Sequence, residues 1–198
     1  MGEKDLKKLV EFFHLAEKLK LEKRQGWLDR GVKDCESVAD HSFRLALMAL
    51  VFAERRGLDV GKVVKMAVIH DLPEAICGDV ASRIKEEDQV VSNKEKQERE
   101  LKALGEMLGF LEEGLAEEIR KLWHEFEFKK SREARLVYEL DRLEAIFQAR
   151  EYESRGNFKV SLKEFFEYMD DRLENKELVK VFGILMKGRG KEGVKKGL

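Results

Sequence analysis

Residues 59–80, DVGKVVKMAVIHDLPEAICGDV, hold one complete helix and its end. Asp59 stands where an N-cap belongs, and Val63, Met66, Ala67 and His70 recur along one helical face. Pro73, the single proline of the chain, stops the helix because the residue before a proline is driven out of the α region. His70 and Asp71 are therefore left side by side where the helix stops. Adjacent helical side chains diverge by about 100°, so an imidazole and a carboxylate there can approach one point from neighbouring directions.

The same periodicity extends outward in both directions. Leu6, Leu9, Val10, Phe13, Ala16 and Leu19 predict a first helix over 4–20. Residues 21–36 show no period and contain Gly26 and Gly31, a loop long enough to be functional or mobile. Ser37, with Asp40 three residues on, predicts a capping box and a helix to about Arg56, stopped by Gly57. Residues 72–91 are mixed, with a turn at Gly78. Ser92 and Glu95 open a helix to Leu108, and the charged run 85–102 reads as a solvated face and its connecting loop. Further helices are expected over 111–127, over 131–154 (Leu136, Leu140, Leu143 and Phe147), from Ser161 and Glu164 onward, and over 174–187. No stretch alternates with the period of a strand. The expected class is all-α, a single domain over 1–187 followed by a flexible Gly/Lys-rich tail at 188–198.

Bulk composition removes several functions. The chain has 198 residues, with 39 Lys+Arg against 40 Asp+Glu and a net charge of -1. That balance offers no field for a nucleic-acid backbone or an anionic membrane. No run approaches the roughly 18 apolar residues of a membrane span, and MGEKDLKKLVEFF does not open like a signal peptide. A soluble cytoplasmic protein is expected, with no nucleic-acid or membrane partner. Cys35 and Cys77 are too few for a disulfide framework and fit no zinc spacing, so reduced thiols are expected.

His41, His70, Asp71 and Asp141 stand out as a candidate ligand set for one divalent metal, and they use two of the chain's four histidines. His41 comes from the first turn of the second helix, and Asp141 lies one residue off the leucine stripe of the long sixth one. On a six-coordinate ion, two imidazoles and two carboxylates leave room for water and substrate, as hydrolysis requires. Taken singly, each of the four also fits an ordinary surface or satisfied side chain. His14 reads as structural, His124 as a remote candidate for a second metal, and Cys77 lacks a neighbouring base that could make it a nucleophile.

Around these residues, ESVADHSFRLALMA (36–49), AVIHDLPEAICGDV (67–80) and YELDRLEAIFQAREYE (138–153) resemble the HD-domain phosphohydrolases. Within them the chain is most similar to the small 5'-deoxynucleotidase branch, in register from about residue 6 to 185. The resemblance implies one all-helical domain with a divalent metal held by His41, His70, Asp71 and Asp141. Co²⁺ or Mn²⁺ would be favoured, and Mg²⁺, Ni²⁺, Fe²⁺ or Zn²⁺ admitted. It implies release of phosphate from deoxyribonucleoside or ribonucleoside 5'-monophosphates by a homodimer. Glu74 would handle the proton and Asp79 would touch the sugar near its 3'-hydroxyl.

In the loop before the second helix, Trp27 offers a stacking face for a base, and Arg24 or Arg30 offers a bidentate phosphate clamp. Some family members carry an Arg directly before the Trp, where this chain has Gly26, so the choice between the two arginines stays open. Loop anchoring by Trp27 is the competing reading. Other chemistry on the same scaffold would be cyclic-nucleotide phosphodiesterase, dNTP triphosphohydrolase or di-iron oxygenase activity, the last needing ligands that only His14 and His124 are left to supply. A non-enzymatic helical scaffold with a relic metal site is the remaining alternative.

Overall fold

The caps supplied by the sequence set the helix boundaries. A computed structural model describes residues 2–81, 91–169, 172–187 and 189. In it, Ser37 Oγ accepts the Asp40 N–H at 3.1 Å and Asp40 Oδ2 accepts the Ser37 N–H at 2.8 Å, which closes the expected capping box. Helix α3 then runs Val38–Arg56 and ends on Gly57, whose φ of 60° is left-handed. Asp59 caps α4 (Val60–Ile69) by accepting the Lys62 N–H at 2.9 Å. Ser92 caps α6 (Asn93–Leu108), and Ser131 caps α8 (Arg132–Arg155). The other elements are α1 (Glu3–Glu17) with a 3₁₀ turn Lys18–Lys20, α2 (Gln25–Leu28), α5 (Glu74–Cys77), α7 (Glu113–Glu127), α9 (Lys163–Met169) and α10 (Lys176–Lys187). Among the described residues there is no strand, only an isolated antiparallel bridge between Lys23 and Ser37. The all-α expectation holds. The tail 188–198 falls outside the described residues except for Arg189.

Helices α3, α4 and α8 form the centre. Leu45, Ala49 and Ala53 of α3, Val63, Met66 and Ala67 of α4, and Leu140 and Leu143 of α8 all have zero exposure. Alanines at these contacts let the helix axes come close, and the leucines fill the remaining space. Helix α7 lies against α4 and α8, while α9 and α10 lie against α8. A second cluster gathers Leu19, Val38, Leu72, Leu104, Met107 and Trp123 between the N-terminal segment, the α4–α5 corner, α6 and α7.

Two expectations needed correction. Residues 21–36 are not one open loop. They contain α2, and their ends are tied together by Arg24 N–H to Glu36 C=O at 3.3 Å and Val38 N–H to Glu22 C=O at 2.9 Å. A four-residue helix is too short to display a period, so nothing in the sequence announced it. The face of α1 is also rotated from the expected one. Leu19 is buried and Phe12, Leu15 and Ala16 pack on the second cluster, whereas Leu6, Val10 and Phe13 are exposed.

The Trp123 indole N–H donates to the His70 carbonyl at 2.9 Å, and Trp123 is only 1% exposed. Trp123→Phe keeps most of the packing but strips a buried carbonyl of its donor, at a cost of about 1–3 kcal/mol. Thermal unfolding should show a melting temperature lower by roughly 2–4 °C per kcal/mol lost. An unchanged melting temperature would mean that this bond does not hold the α4–α5 corner.

Candidate metal centre and its cavity

Helix α4 ends at Ile69, and a turn leads through Asp71 into α5. The Trp123 bond fixes the His70 carbonyl, while His70 Nδ1 lies 2.9 Å from the Ala67 carbonyl. His41, with zero exposure, comes from the first turn of α3 and places Nδ1 2.5 Å from Glu144 Oε2. A carbonyl and a carboxylate can only accept, so both Nδ1 atoms carry hydrogen and both Nε2 atoms are left as lone pairs. Those two Nε2 atoms face each other at 3.3 Å. Asp71 Oδ2 is 3.0 Å from His70 Nε2 and 3.8 Å from His41 Nε2, and Asp141 Oδ1 is 3.1 Å from His41 Nε2.

The two lone pairs and the Asp71 carboxylate lie close enough to share one ion, and Asp141 stands against His41. The donor set fits a divalent cation, with each imidazole oriented from behind as metal-ligating histidines generally are. The surrounding carboxylates also favour a proton on His41. Burial and Arg24 work against charge on His41, but Glu144 and Asp141 push its imidazole up to about 10. Burial likewise opposes ionisation of Asp71, yet His70, Arg24 and His41 hold it well below the usual carboxylate range. Asp141 is held low in the same way, chiefly by His41.

Beside this cluster opens a cavity continuous with solvent. Arg24, Asp71, Glu74, Asp79, Lys96 and Asp141 are among the polar side chains that line it, and Trp27, Ile146, Phe165 and Met169 among the apolar ones. Arg24 Nη1 is 3.3 Å from Asp71 Oδ2 and 4.0 Å from Asp79 Oδ1, so this arginine abuts the metal-type cluster. Arg30 lines the cavity elsewhere, paired with Glu164. Asp79 is turned inward by Gly78, whose φ of 77° with ψ of 161° suits glycine almost alone. Its Oδ2 accepts the Gln25 N–H at 2.6 Å.

Glu74 is 3% exposed and its Oε2 has no hydrogen-bond partner. Burial, then the charges of Asp71 and Asp79, raise its carboxyl well above the ordinary value. The surroundings thus favour the neutral form of Glu74 and the charged form of Asp71.

Trp27 sits at the cavity but is 2% exposed. Its ring stacks on Phe165 at 4.2 Å between centroids, meets Tyr152 edge-on, and its N–H donates to Glu36 Oε1 at 2.8 Å. The loop anchor is thus present, whereas the ring is buried against Phe165 and Tyr152 rather than open as a stacking face, and it meets the cavity only as part of its wall. His14 is exposed on α1, and His124 stacks on Phe128; neither joins a metal-type donor group among the described residues. Both cysteines are free thiols, and burial, with Glu100, pushes Cys77 up to about 11, which makes it a poor nucleophile at neutral pH.

Sequence reasoning missed three side chains. Glu144, with zero exposure, sits behind His41 and is met on its other oxygen by Arg44 Nε at 2.6 Å. Arg44 also donates to Gln148 at 2.6 Å and to Glu151 at 2.9 Å. The available signal was a glutamate three residues after Asp141 and directly after Leu143, inside the apolar stripe of α8. The third is Lys96. It lies in the run read as a solvated face, yet it lines the cavity.

Comparison with known proteins agrees with this geometry. The HD domain profile matches residues 16–180. A zebrafish (Danio rerio) protein named 5'-deoxynucleotidase HDDC2 is 39% identical over 171 residues, covering 86% of this chain and 82% of its own. The human protein of the same name is 35% identical, covering 87% and 82%. A solved structure of a conserved hypothetical protein from Pyrococcus furiosus superposes with a TM-score of 0.72 at 35% identity, covering 90% of this chain and 99% of its own. With a profile spanning most of its length and relatives matched nearly end to end, the chain belongs to the HD domain family.

Proposed function

We propose that this protein is a metal-dependent phosphomonoesterase that hydrolyses nucleoside 5'-monophosphates, the deoxy forms included, to nucleoside and phosphate. The observation that carries the reading is the cluster of His41, His70 and Asp71, with Asp141 3.1 Å from His41, beside a cavity that also presents Arg24, Glu74 and Asp79. Relatives named 5'-deoxynucleotidase support it across most of the chain.

His41, His70, Asp71 and Asp141 would hold the ion. Two imidazoles with two carboxylates make a mixed nitrogen and oxygen donor set that would accept Mn²⁺ or Co²⁺. Such an ion supplies a Lewis acid for phosphoryl oxygens and activates water. Arg24 holds the phosphate, and Asp71 orients the attacking water. Water oxygen bonds to phosphorus as the bond from phosphorus to the 5'-oxygen breaks. The departing oxygen takes the proton of Glu74, and the Glu74 carboxylate recovers one from the water. Asp79 accepts from a sugar hydroxyl. Trp27, backed by Phe165, walls the base end.

Exposed apolar side chains at Phe43, Leu47, Leu50 and Val51 along α3 support a homodimer. No helix among the described residues is long and apolar enough to cross a membrane, in keeping with a cytoplasmic setting.

The test is phosphate release from chelator-stripped protein on each deoxy- and ribonucleoside 5'-monophosphate, with and without Co²⁺, Mn²⁺ or Mg²⁺. Release only with metal is expected. Silence across the panel from metal-loaded protein would overturn the reading. Asp71→Ala should lose metal binding and turnover together. Glu74→Gln should keep the metal and lose about 10²–10⁴-fold in kcat; full kcat in that variant would remove Glu74 from proton transfer. Glu144→Gln, which cannot serve His41 Nδ1–H as a charged acceptor, should weaken metal affinity by about 10–100-fold in a calorimetric titration.

A further inference from the structure

The cavity is rich in carboxylates, Asp71, Glu74, Asp79 and Asp141 among them, and Arg142, also in its lining, is turned to the Tyr138 hydroxyl. A phosphomonoester brings up to two further negative charges, and its transfer spreads charge over three equatorial oxygens. Arg24 is drawn to Asp71 at 3.3 Å and Asp79 at 4.0 Å, so much of its field is already answered. Arg30 is paired with Glu164.

Lys96 differs from both. It rises from the first turn of α6 into the same cavity. Its ammonium donates to the Val80 carbonyl at 3.2 Å and lies 3.5 Å from Glu100 Oε1, one turn further along α6. An ammonium has three donors. Among the described residues these contacts take two directions, and Lys96 also lines the cavity. Glu100, the carboxylate it meets among them, is a weak counter-charge: burial pushes Glu100 up to about 7, against the pull of Lys96 itself.

We propose that Lys96 is a substrate-binding residue that contacts the phosphoryl group, the second cation of the phosphate site opposite Arg24. The proposal rests on reading the cavity as a phosphomonoester site. The Val80 carbonyl holds the ammonium in place before substrate arrives, so little side-chain freedom is lost on binding. As a compact point charge, lysine suits an oxygen that changes position during transfer better than a second bidentate fork would.

The test is the affinity of Mn²⁺-loaded protein for inorganic phosphate and for a deoxynucleoside that lacks phosphate, each by calorimetry. A hydrogen bond to a charged group is worth about 1.5–3 kcal/mol, or roughly 10–100-fold in affinity. Lys96→Gln should weaken phosphate by about that factor and leave the nucleoside within about twofold. Lys96→Arg should recover most of the loss. Glu100→Gln, which removes the counter-charge, should tighten phosphate, a change of sign that general damage to α6 would not produce. Unchanged phosphate affinity in Lys96→Gln, equal weakening of phosphate and nucleoside, or weaker phosphate in Glu100→Gln would each overturn the proposal. Binding is read without turnover. A protein that binds phosphate through Lys96 but hydrolyses no nucleotide would support Lys96 and overturn the proposed reaction instead.

Discussion

A histidine with no solvent exposure, hydrogen-bonded to a glutamate with none, is costly to bury unless every partner is in place. The His41–Glu144 contact imposes that condition on this fold. It joins the start of α3 to the middle of α8. Arg44, one turn beyond His41, closes on the same glutamate from the outer side, so one carboxylate answers two cationic or polar groups of α3. Asp141, one turn before Glu144 on α8, meets the other ring nitrogen of His41. The central helix pair is thereby fixed in rotation as well as in distance. Turning either helix by one residue would leave a buried charge unpaired, a far larger penalty than shifting leucines against alanines. The apolar contacts of α3, α4 and α8 supply most of the burial, and the polar contact selects one register among those that apolar packing alone would tolerate.

That division explains what the sequence could reveal. Caps are local, so Ser37, Asp59 and Ser92 announced their helices correctly, and Pro73 marked the corner that carries His70 and Asp71. The four metal-type residues were legible because two histidines and two aspartates stood out in segments whose wording resembles a known family. Glu144 was not, because a glutamate on a helix rich in Glu and Arg looks solvated until its position on the wheel is compared with Leu140 and Leu143. Lys96 was hidden for a stronger reason. Helix α6 buries Ala103, Leu104, Met107 and Leu108 at its far end, while its first two turns read as uniformly charged, so no periodicity sets one lysine apart from its neighbours. Only the placement of α6 against α5 identifies it. Trp27 shows the converse. The sequence framed a choice between loop anchor and stacking face for a base, and a buried ring, stacked on Phe165 from a helix more than a hundred residues away, acts as the anchor and meets the cavity only as wall.

Asp71 and Glu74 make the clearest case that position rather than residue type decides chemistry here. They are three residues apart, carry the same functional group and line the same cavity, yet they are driven in opposite directions. Asp71 lies within reach of two imidazoles and a guanidinium, and each of them favours its charged form. Glu74 is buried, has an oxygen with no hydrogen-bond donor, and finds negative charge at Asp71 and Asp79. The ionised state of the first therefore reinforces the neutral state of the second. A pair of carboxyls split in this way can orient a nucleophile with one member and deliver a proton with the other. The split follows from the corner at Pro73. A continuous helix would put residues 71 and 74 on one face in a shared environment, whereas the break leaves Asp71 at the imidazoles and places Glu74 on the first turn of α5, where burial and the charges of Asp71 and Asp79 outweigh the pull of Arg24 and Lys96.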